Sequence, residues 1–318
     1  MRKENIQERR FKLTNKSLNV ISLFGGIETG YLTFKDLGIT NYYSSEIDKY
    51  AKAIAKYNFP NIIDLGDITL INEETLSKMP KIDWIIFGSP CQSFSLAGKQ
   101  EGFSGKSGLF YEAVKIVKYI NRYNNPKVNI LMENVVMKKE WQNTITRELK
   151  LATNREIYCT LLNSALVSAQ NRPRLYWTNF QVDSPSDRNV YLKDILESFT
   201  DIPITDNSSF ECWVQKGYKK RNLKSGTLTT KASQSDAEWI VKTGEIIELT
   251  KRGALKVQKF ARKLTVLDYE RLQTLPDNFT KFGNFEGIVK EISDTQRYKC
   301  IGNGWTHEII KHIITNKI

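Results

Sequence analysis

A chain of 318 residues, 40% of them hydrophobic and 26% charged, can bury one sizeable core and a second small one, as an ordinary globular protein does. Its four cysteines form no CxxC pair and its two histidines sit together near the end, which argues against a zinc site and a disulfide framework. No apolar run approaches the ~18 residues that cross a bilayer, and MRKENIQERRFK lacks the apolar core of a signal peptide; the expectation is a cytoplasmic protein with no membrane partner and no metal.

Short apolar runs alternate with helix-period segments over the first half. Strands are predicted at Asn19–Phe24, Asn41–Glu46, Asn61–Leu65, Ile82–Phe87, Lys127–Glu133, Glu156–Leu162 and Arg174–Thr178. Helices are predicted at Glu28–Leu37, Lys49–Tyr57, Glu73–Lys78, Leu109–Tyr123 and Lys138–Leu151. This repetition implies right-handed crossovers and a doubly wound, mostly parallel α/β sheet covered on both faces. After Phe180 the pattern breaks into turn-rich SPSDRN and TDNSS, then short β segments (GTLTTKAS, EWIVKTGEIIELTKRG), with helical periodicity at Val266–Gln273 and Trp305–Ile314. The expected division is residues 1–180 plus 292–318 as one domain, with 181–291 a small, largely β insert.

Charge is uneven. Between Gln215 and Lys263 thirteen Lys or Arg face four Asp or Glu, a net +9 of the chain's +12. A solvated basic face accounts for this as well as phosphate neutralisation does.

Four groups of residues carry chemistry. SLFGGIETG (Ser22–Gly30) follows the first strand and opens a helix, where glycines let backbone approach a ligand; a plain tight turn is the bland alternative. It is not the G-x-G-x-x-G of dinucleotide binders. Glu46 ends strand two, where a carboxylate accepts from ribose hydroxyls, and Asp67 ends strand three, where it can accept from an exocyclic amine; each alone also reads as a cap or a solvated loop acid. Together they describe an adenosine pocket without phosphate contacts, which favours S-adenosylmethionine. Cys91 ends strand four in GSPCQSFSLAGKQEGFSGKSG, Glu133 ends strand five in LMENVV, and Arg172 and Arg174 sit in QNRPR. A thiol, a carboxylate and two guanidiniums at one end of a sheet are costly to gather for structure alone.

SLFGGIETG, SEID, LGDI, FGSPCQSFSLAGKQEGF, SGLFYEA, MENV, QNRPRLYW, RKLTVLDYERLQTLPD and CIGNGW occur in the order of the DNA cytosine-5 methyltransferases, and the chain resembles that family over nearly its whole length. SLFGGIETGYLTFKDLGI and ENVVMKK are similar to the animal de novo enzymes, whereas the chain's brevity is similar to microbial or phage members. Three positions depart from the family pattern. Ser22 stands where many bacterial members carry an acid, Lys106-Ser107-Gly108 replaces a commoner Ser-Arg-Gly, and Gly302-Asn303-Gly304-Trp305 mixes bacterial and de novo forms.

The resemblance implies a Rossmann-like fold with a target-recognition insert, and a methyl transfer from S-adenosylmethionine to carbon-5 of a flipped-out cytosine in duplex DNA, releasing S-adenosylhomocysteine. Cys91 would add to carbon-6, with Arg172 favouring its thiolate. Glu133 would hold a proton at ring nitrogen 3, helped by a dry crevice, and Arg174 would grip the exocyclic carbonyl and orient Glu133. Phe24, Gly25, Gly26, Ile27, Glu28, Thr29, Glu46, Ile47, Asp67, Ile68, Pro90, Leu109, Asn303 and Trp305 would line the cofactor. The Ser93–Gly108 loop would close on the everted base, hinged at Gly98, Gly102, Gly105 and Gly108. Gln92, Ser95, Lys99, Lys219, Lys220, Arg221, Lys224, Thr229, Thr230 and Lys231 would meet DNA. A transfer-RNA methyltransferase and an inactive DNA-binding module stay as alternatives; a restriction endonuclease partner, a homodimer and a bacterial or phage-infected host stay open.

Overall fold

The computed structural model describes residues 17–90, 108–197, 210–214, 219–222, 224, 225, 227, 228, 238–242, 248, 249, 255, 256 and 261–318. One sheet holds seven strands: β1 Leu18–Leu23, β2 Ile39–Ser45, β3 Ile63–Asp64, β4 Trp84–Phe87, β5 Asn129–Val135, β6 Tyr158–Asn163 and β7 Pro173–Thr178. Their spatial order is β3-β2-β1-β4-β5-β7-β6. β1 pairs in parallel with β2 and β4, β2 with β3 and β4 with β5, while β7 runs antiparallel to β5. LNVISL and WIIF are buried at every position, because helices cover both faces and leave no side for alternation.

The helices are α1 Thr29–Phe34, α2 Lys49–Asn58, α3 Glu73–Ser77, α4 Leu109–Tyr119 and α5 Lys139–Thr153. Asp48 caps α2 by accepting from the N–H groups of Tyr50 and Ala51, and Asn72 caps α3 through Thr75 N–H. α5 stops at Asn154, which takes the left-handed conformation (φ 51°) that Asn tolerates better than most side chains. The core between α4, α5 and the sheet includes Phe87, Phe110, Val117, Met132, Leu149 and Trp177.

The chain divides into two units, Met1–Leu162 with Arg174–Ser184 and Ile310–Ile318, and Asn163–Pro173 with Pro185–Ile309. This differs from the expected limits at 180 and 292. Asn163–Pro173 and most of the tail join the second unit because their polar groups are satisfied there. Ser164 Oγ pairs with Thr306 Oγ1 at 2.8 Å, and the Gln273 amide donates to Ile301 O and Gly304 O at 3.0 and 3.2 Å.

The second unit carries a four-stranded antiparallel sheet in the order Ala261–Lys263, Glu238–Lys242, Phe210–Val214, Lys219–Asn222. GTLTTKAS forms no strand where it is described, at Thr227 and Leu228. A hairpin pairs Phe282–Phe285 with Ile288–Glu291, and a helix spans Asp294–Asn303; the sequence pattern predicted neither. The last helix, His307–Thr315, starts two residues after Trp305, which lies in the preceding turn and not in the helix. A small core joins Leu192, Leu228, Leu264, Tyr269, Leu272 and Ile301. Among the described residues no helix is long and apolar enough to cross a membrane, and no cluster of His, Cys, Asp or Glu could hold a metal ion.

Leu272 is fully buried in that small core. Leu272→Ala should destabilise the second unit by about 2–5 kcal/mol, visible as faster amide exchange in segments 264–272 and 297–301 with little change in β1 and β4.

Candidate active site

In a doubly wound sheet the ligand crevice lies outside the carboxyl ends of the strands where the order reverses. Here that point falls between β1 and β4, which run side by side while their neighbours wind outward in opposite directions. Two of the sequence motifs leave the sheet at that place, SLFGGIETG from β1 and FGSP from β4.

The turn after β1 is held in left-handed backbone at Phe24, Gly26 and Glu28 (φ 55°, 57° and 56°). Gly25 N–H donates to Ser45 O at 3.2 Å and Gly26 N–H to Glu46 Oε2 at 2.9 Å, so the turn is fastened to the end of β2. A Cβ on Gly25 would stand 1.8 Å from Glu28 Oε1, which only glycine avoids. Phe24, Gly25 and Gly26 are half-buried at the mouth, while Ile27, Glu28 and Thr29 are buried behind them.

Glu28 faces inward. Its carboxylate accepts from Tyr42 Oη at 2.8 Å and from Ser44 Oγ, both on β2. Burial pushes this carboxyl up to about 7, against the lowering effect of the Ser44 and Tyr42 hydroxyls. A side chain spent on the protein interior supports the turn and does not line it.

Glu46 takes three backbone bonds. Oε1 accepts from Ile47 and Asp48 N–H at 2.7 and 2.8 Å, and Oε2 accepts from Gly26. A carboxylate offers about four acceptor positions, so one on Oε2 is left for a ligand hydroxyl. Asp67 Oδ1 accepts from Thr69 N–H and hydroxyl, both at 2.9 Å, which holds its carboxyl below the usual range and leaves Oδ2 without a bond among the described residues. Ile47 is 71% exposed beside Glu46, an apolar face open to a flat ring, and Ile68 is buried under Asp67.

On the other side of the switch point, Ser89 is buried and Pro90 half-buried after β4; Leu109 opens α4, also half-buried. Cys91, Gln92, Ser95 and Lys99 lie outside the described residues, as do Gly98, Gly102 and Gly105, while Gly108 sits directly before α4. Glu133 on β5 and Arg174 on β7 form an ion pair at 3.1 Å, each side chain 12% exposed. Glu133 faces Tyr176 and Val135 faces Arg174 in the antiparallel register, so the pair is the diagonal contact that long side chains reach across two strands. Asn134, between them in sequence, is buried and donates to Ser89 O and Oγ at 3.3 and 3.1 Å. Neither Asn134 nor Ser89 was singled out from sequence; the available signal was an amide directly after a strand-end acid.

In the second unit Arg172 is buried, and its Nη2 donates to Gly302 O and Gly304 O at 3.3 and 3.0 Å, the carbonyls flanking exposed Asn303. Trp305 is half-buried next to them. Lys224 donates to Ala165 O and to Ser168 O and lies over the Tyr191 ring. Burial lowers its affinity for the proton, with Asp187 and Asp194 opposing. It braces the Asn163–Pro173 segment, which removes it from the expected phosphate contacts. Lys219, Lys220 and Arg221 fall on an edge strand of the four-stranded sheet. Thr229, Thr230 and Lys231 lie outside the described residues.

A glycine turn fastened to a strand-two acid, with a second acid after strand three, defines a Rossmann-like methyltransferase architecture, and the solved structures agree. The Dnmt2 methyltransferase of S. pombe superposes over 94% of this chain and 97% of its own with a TM-score of 0.68 at 14% identity. Among curated proteins the type II methyltransferase M.HhaI of Haemophilus parahaemolyticus is 30% identical, covering 94% of each chain. M1.ScrFI of Lactococcus lactis subsp. cremoris is 32% identical over 94% of this chain and 77% of its own. The family model for C-5 cytosine-specific DNA methylase matches residues 18–318, and the chain belongs to that family. It is a DNA (cytosine-5-)-methyltransferase; the family uses S-adenosylmethionine and acts through a covalent cysteine adduct.

Asn134 fixes the backbone two residues before Cys91. Asn134→Ala should cost about 1–3 kcal/mol by leaving Ser89 unsatisfied and lower kcat by about tenfold or more through misplacement of that segment. Single-turnover methyl transfer beside a cofactor-binding isotherm checks this: the rate should fall while cofactor affinity stays within about twofold.

Proposed function

We propose that this chain methylates carbon-5 of a cytosine everted from duplex DNA, with Cys91 as the nucleophile and Glu133, Arg174 and Arg172 as its partners. The Glu133–Arg174 pair carries the reading, because it presents a carboxyl and a guanidinium together at the ends of β5 and β7. Two of the other thiols fit the role poorly: burial pushes Cys159 up to about 11, and Cys300 is buried.

The residues present fit the family's cofactor. Gly25 and Gly26 bring bare backbone to the crevice, Glu46 keeps one acceptor for a ribose hydroxyl, Asp67 Oδ2 can accept from an exocyclic amine, and Ile47 offers an apolar face to the adenine ring. Pro90 and Leu109 complete the set we assign to it within the first unit. When bound, S-adenosylmethionine supplies an electrophilic methyl group and is released as S-adenosylhomocysteine.

The chain's own residues do the rest. The Cys91 thiolate adds to carbon-6, forming a carbon–sulfur bond and moving the ring's electron pair toward carbon-5. Glu133 donates a proton or hydrogen bond at ring nitrogen 3, where negative charge builds, and Arg174 holds Glu133 and the exocyclic carbonyl. After carbon-5 takes the methyl group, water removes the carbon-5 proton, the returning electron pair expels the thiolate, and any proton held at ring nitrogen 3 goes back to Glu133. Eversion costs a few kcal/mol, which contacts with the opened duplex offset. The basic strand Lys219–Asn222 belongs to the surface we assign to DNA phosphates.

Cys91→Ala should abolish methyl transfer while leaving duplex binding intact, and wild type alone should form a cofactor-dependent adduct on duplex DNA bearing 5-fluorocytosine. An adduct mapped by mass spectrometry to another side chain, or equal labelling of transfer RNA, contradicts the assignment. Replacing Lys219, Lys220 and Arg221 together by Gln should flatten the log–log dependence of duplex affinity on salt by about 0.9 for each phosphate no longer neutralised; an unchanged slope removes that strand from the interface.

A further inference from the structure

Glu28 is a buried acid that none of these steps uses. It is 1% exposed, in left-handed backbone, and its carboxylate packs directly against the backbone of Gly25. The groups around it are of one kind. From β2 come the hydroxyls of Tyr42 and Ser44, from β1 the hydroxyl of Ser22, and from the end of β2 the carboxylate of Glu46; Tyr31, on Glu28's own helix, lies edge-on to Tyr42. Among the described residues no Lys, Arg or His pairs with it. A buried carboxyl without a cation is an expensive arrangement, and here it sits directly beneath the turn assigned to the cofactor.

The missing positive charge is one the ligand can bring. S-adenosylmethionine carries a sulfonium, and S-adenosylhomocysteine carries an uncharged thioether at the same atom. A carboxylate under the turn attracts the first and not the second. We propose that Glu28 is a positioning residue of the cofactor turn whose negative charge makes the site prefer the cationic cofactor over its neutral product. The inference rests on the cofactor reading above.

The carboxyl is charged only part of the time near neutral pH, since burial raises it to about 7. Above that value Tyr42 and Ser44 both donate to a carboxylate. Below it Glu28 is neutral and the electrostatic preference disappears. By linkage, a ligand that favours the charged form gains affinity as pH rises through this range, and the gain is tenfold for each unit by which it lowers the carboxyl's pKa.

Equilibrium binding of S-adenosylmethionine and of S-adenosylhomocysteine to the full chain at pH 5.5 and 7.5 tests this without catalysis. In wild type the affinity ratio of cofactor to product should rise by about 3- to 10-fold across that interval, and in Glu28→Gln it should stay flat. Tyr42→Phe removes one donor to the charged form, so its transition should move to higher pH; this second variant decides the matter if the first folds poorly. A wild-type ratio that does not change, or the same rise in Glu28→Gln, overturns the proposal. Failure of wild type to bind either ligand overturns the cofactor reading instead.

The ligand-free protein gives a separate readout. An acid whose folded value is raised contributes stability present below its unfolded value and lost as pH rises through the folded one. Wild type should therefore lose stability relative to Glu28→Gln between about pH 4.5 and 7. A difference that is constant over that interval shows that Glu28 does not titrate there and sinks the inference.

Discussion

The bond from Gly26 N–H to Glu46 Oε2 is the constraint on which the cofactor side depends. β1 and β2 are neighbours in a parallel sheet, and each ends in a segment that has left the hydrogen-bond ladder. Gly25 N–H, donating to Ser45 O, is the backbone bond between those two ends. Glu46 joins them by accepting from the turn with one oxygen and from its own following residues with the other. The same carboxylate that sets the shape of the crevice keeps one acceptor for what enters it. Removing it would therefore disturb the turn as well as any bond to ribose.

The Glu133–Arg174 pair, which we assign to catalysis, is built by a different device. β7 runs against β5, and that reversal brings Arg174 diagonally across to Glu133. A parallel strand at this place would have begun at the opposite end of the sheet and carried its arginine away. The residues between β6 and β7, 164–172, leave the sheet and belong to the second unit, where Arg172 donates to the carbonyls on either side of Asn303. Two arginines separated by one residue thus have different bonding partners.

The main sheet was legible because its strands are continuous apolar runs and its helices have one buried stripe, so periodicity alone separates them. Predicted limits fall within about two residues for most strands. The Asp294–Asn303 helix escaped because its sequence, DTQRYKCIGN, is polar nearly throughout; it buries Arg297 against Glu270 and Thr280, a network that periodicity does not reveal. The hairpin over 282–291 escaped for a related reason: Ile288–Glu291 is exposed at every position, so burial imposes no alternation on it. At the site, residue identities were readable but directions were not. Lys224 lies in the most basic stretch of the chain, yet its ammonium is turned onto carbonyls of its own unit. Charge counts locate cations and say nothing of what each one reaches.

Glu28 is the sharpest case of this kind. In the sequence it is one letter of a glycine-rich turn that begins two residues after Ser22. In the fold the two converge: Ser22 Oγ and Glu28 Oε1 lie 2.9 and 1.8 Å from the point where a Gly25 Cβ would stand. A carboxyl from the start of α1 thus lies beside a hydroxyl from the end of β1. Only glycine leaves room for it there, so the Glu28 carboxyl fixes the residue type at position 25.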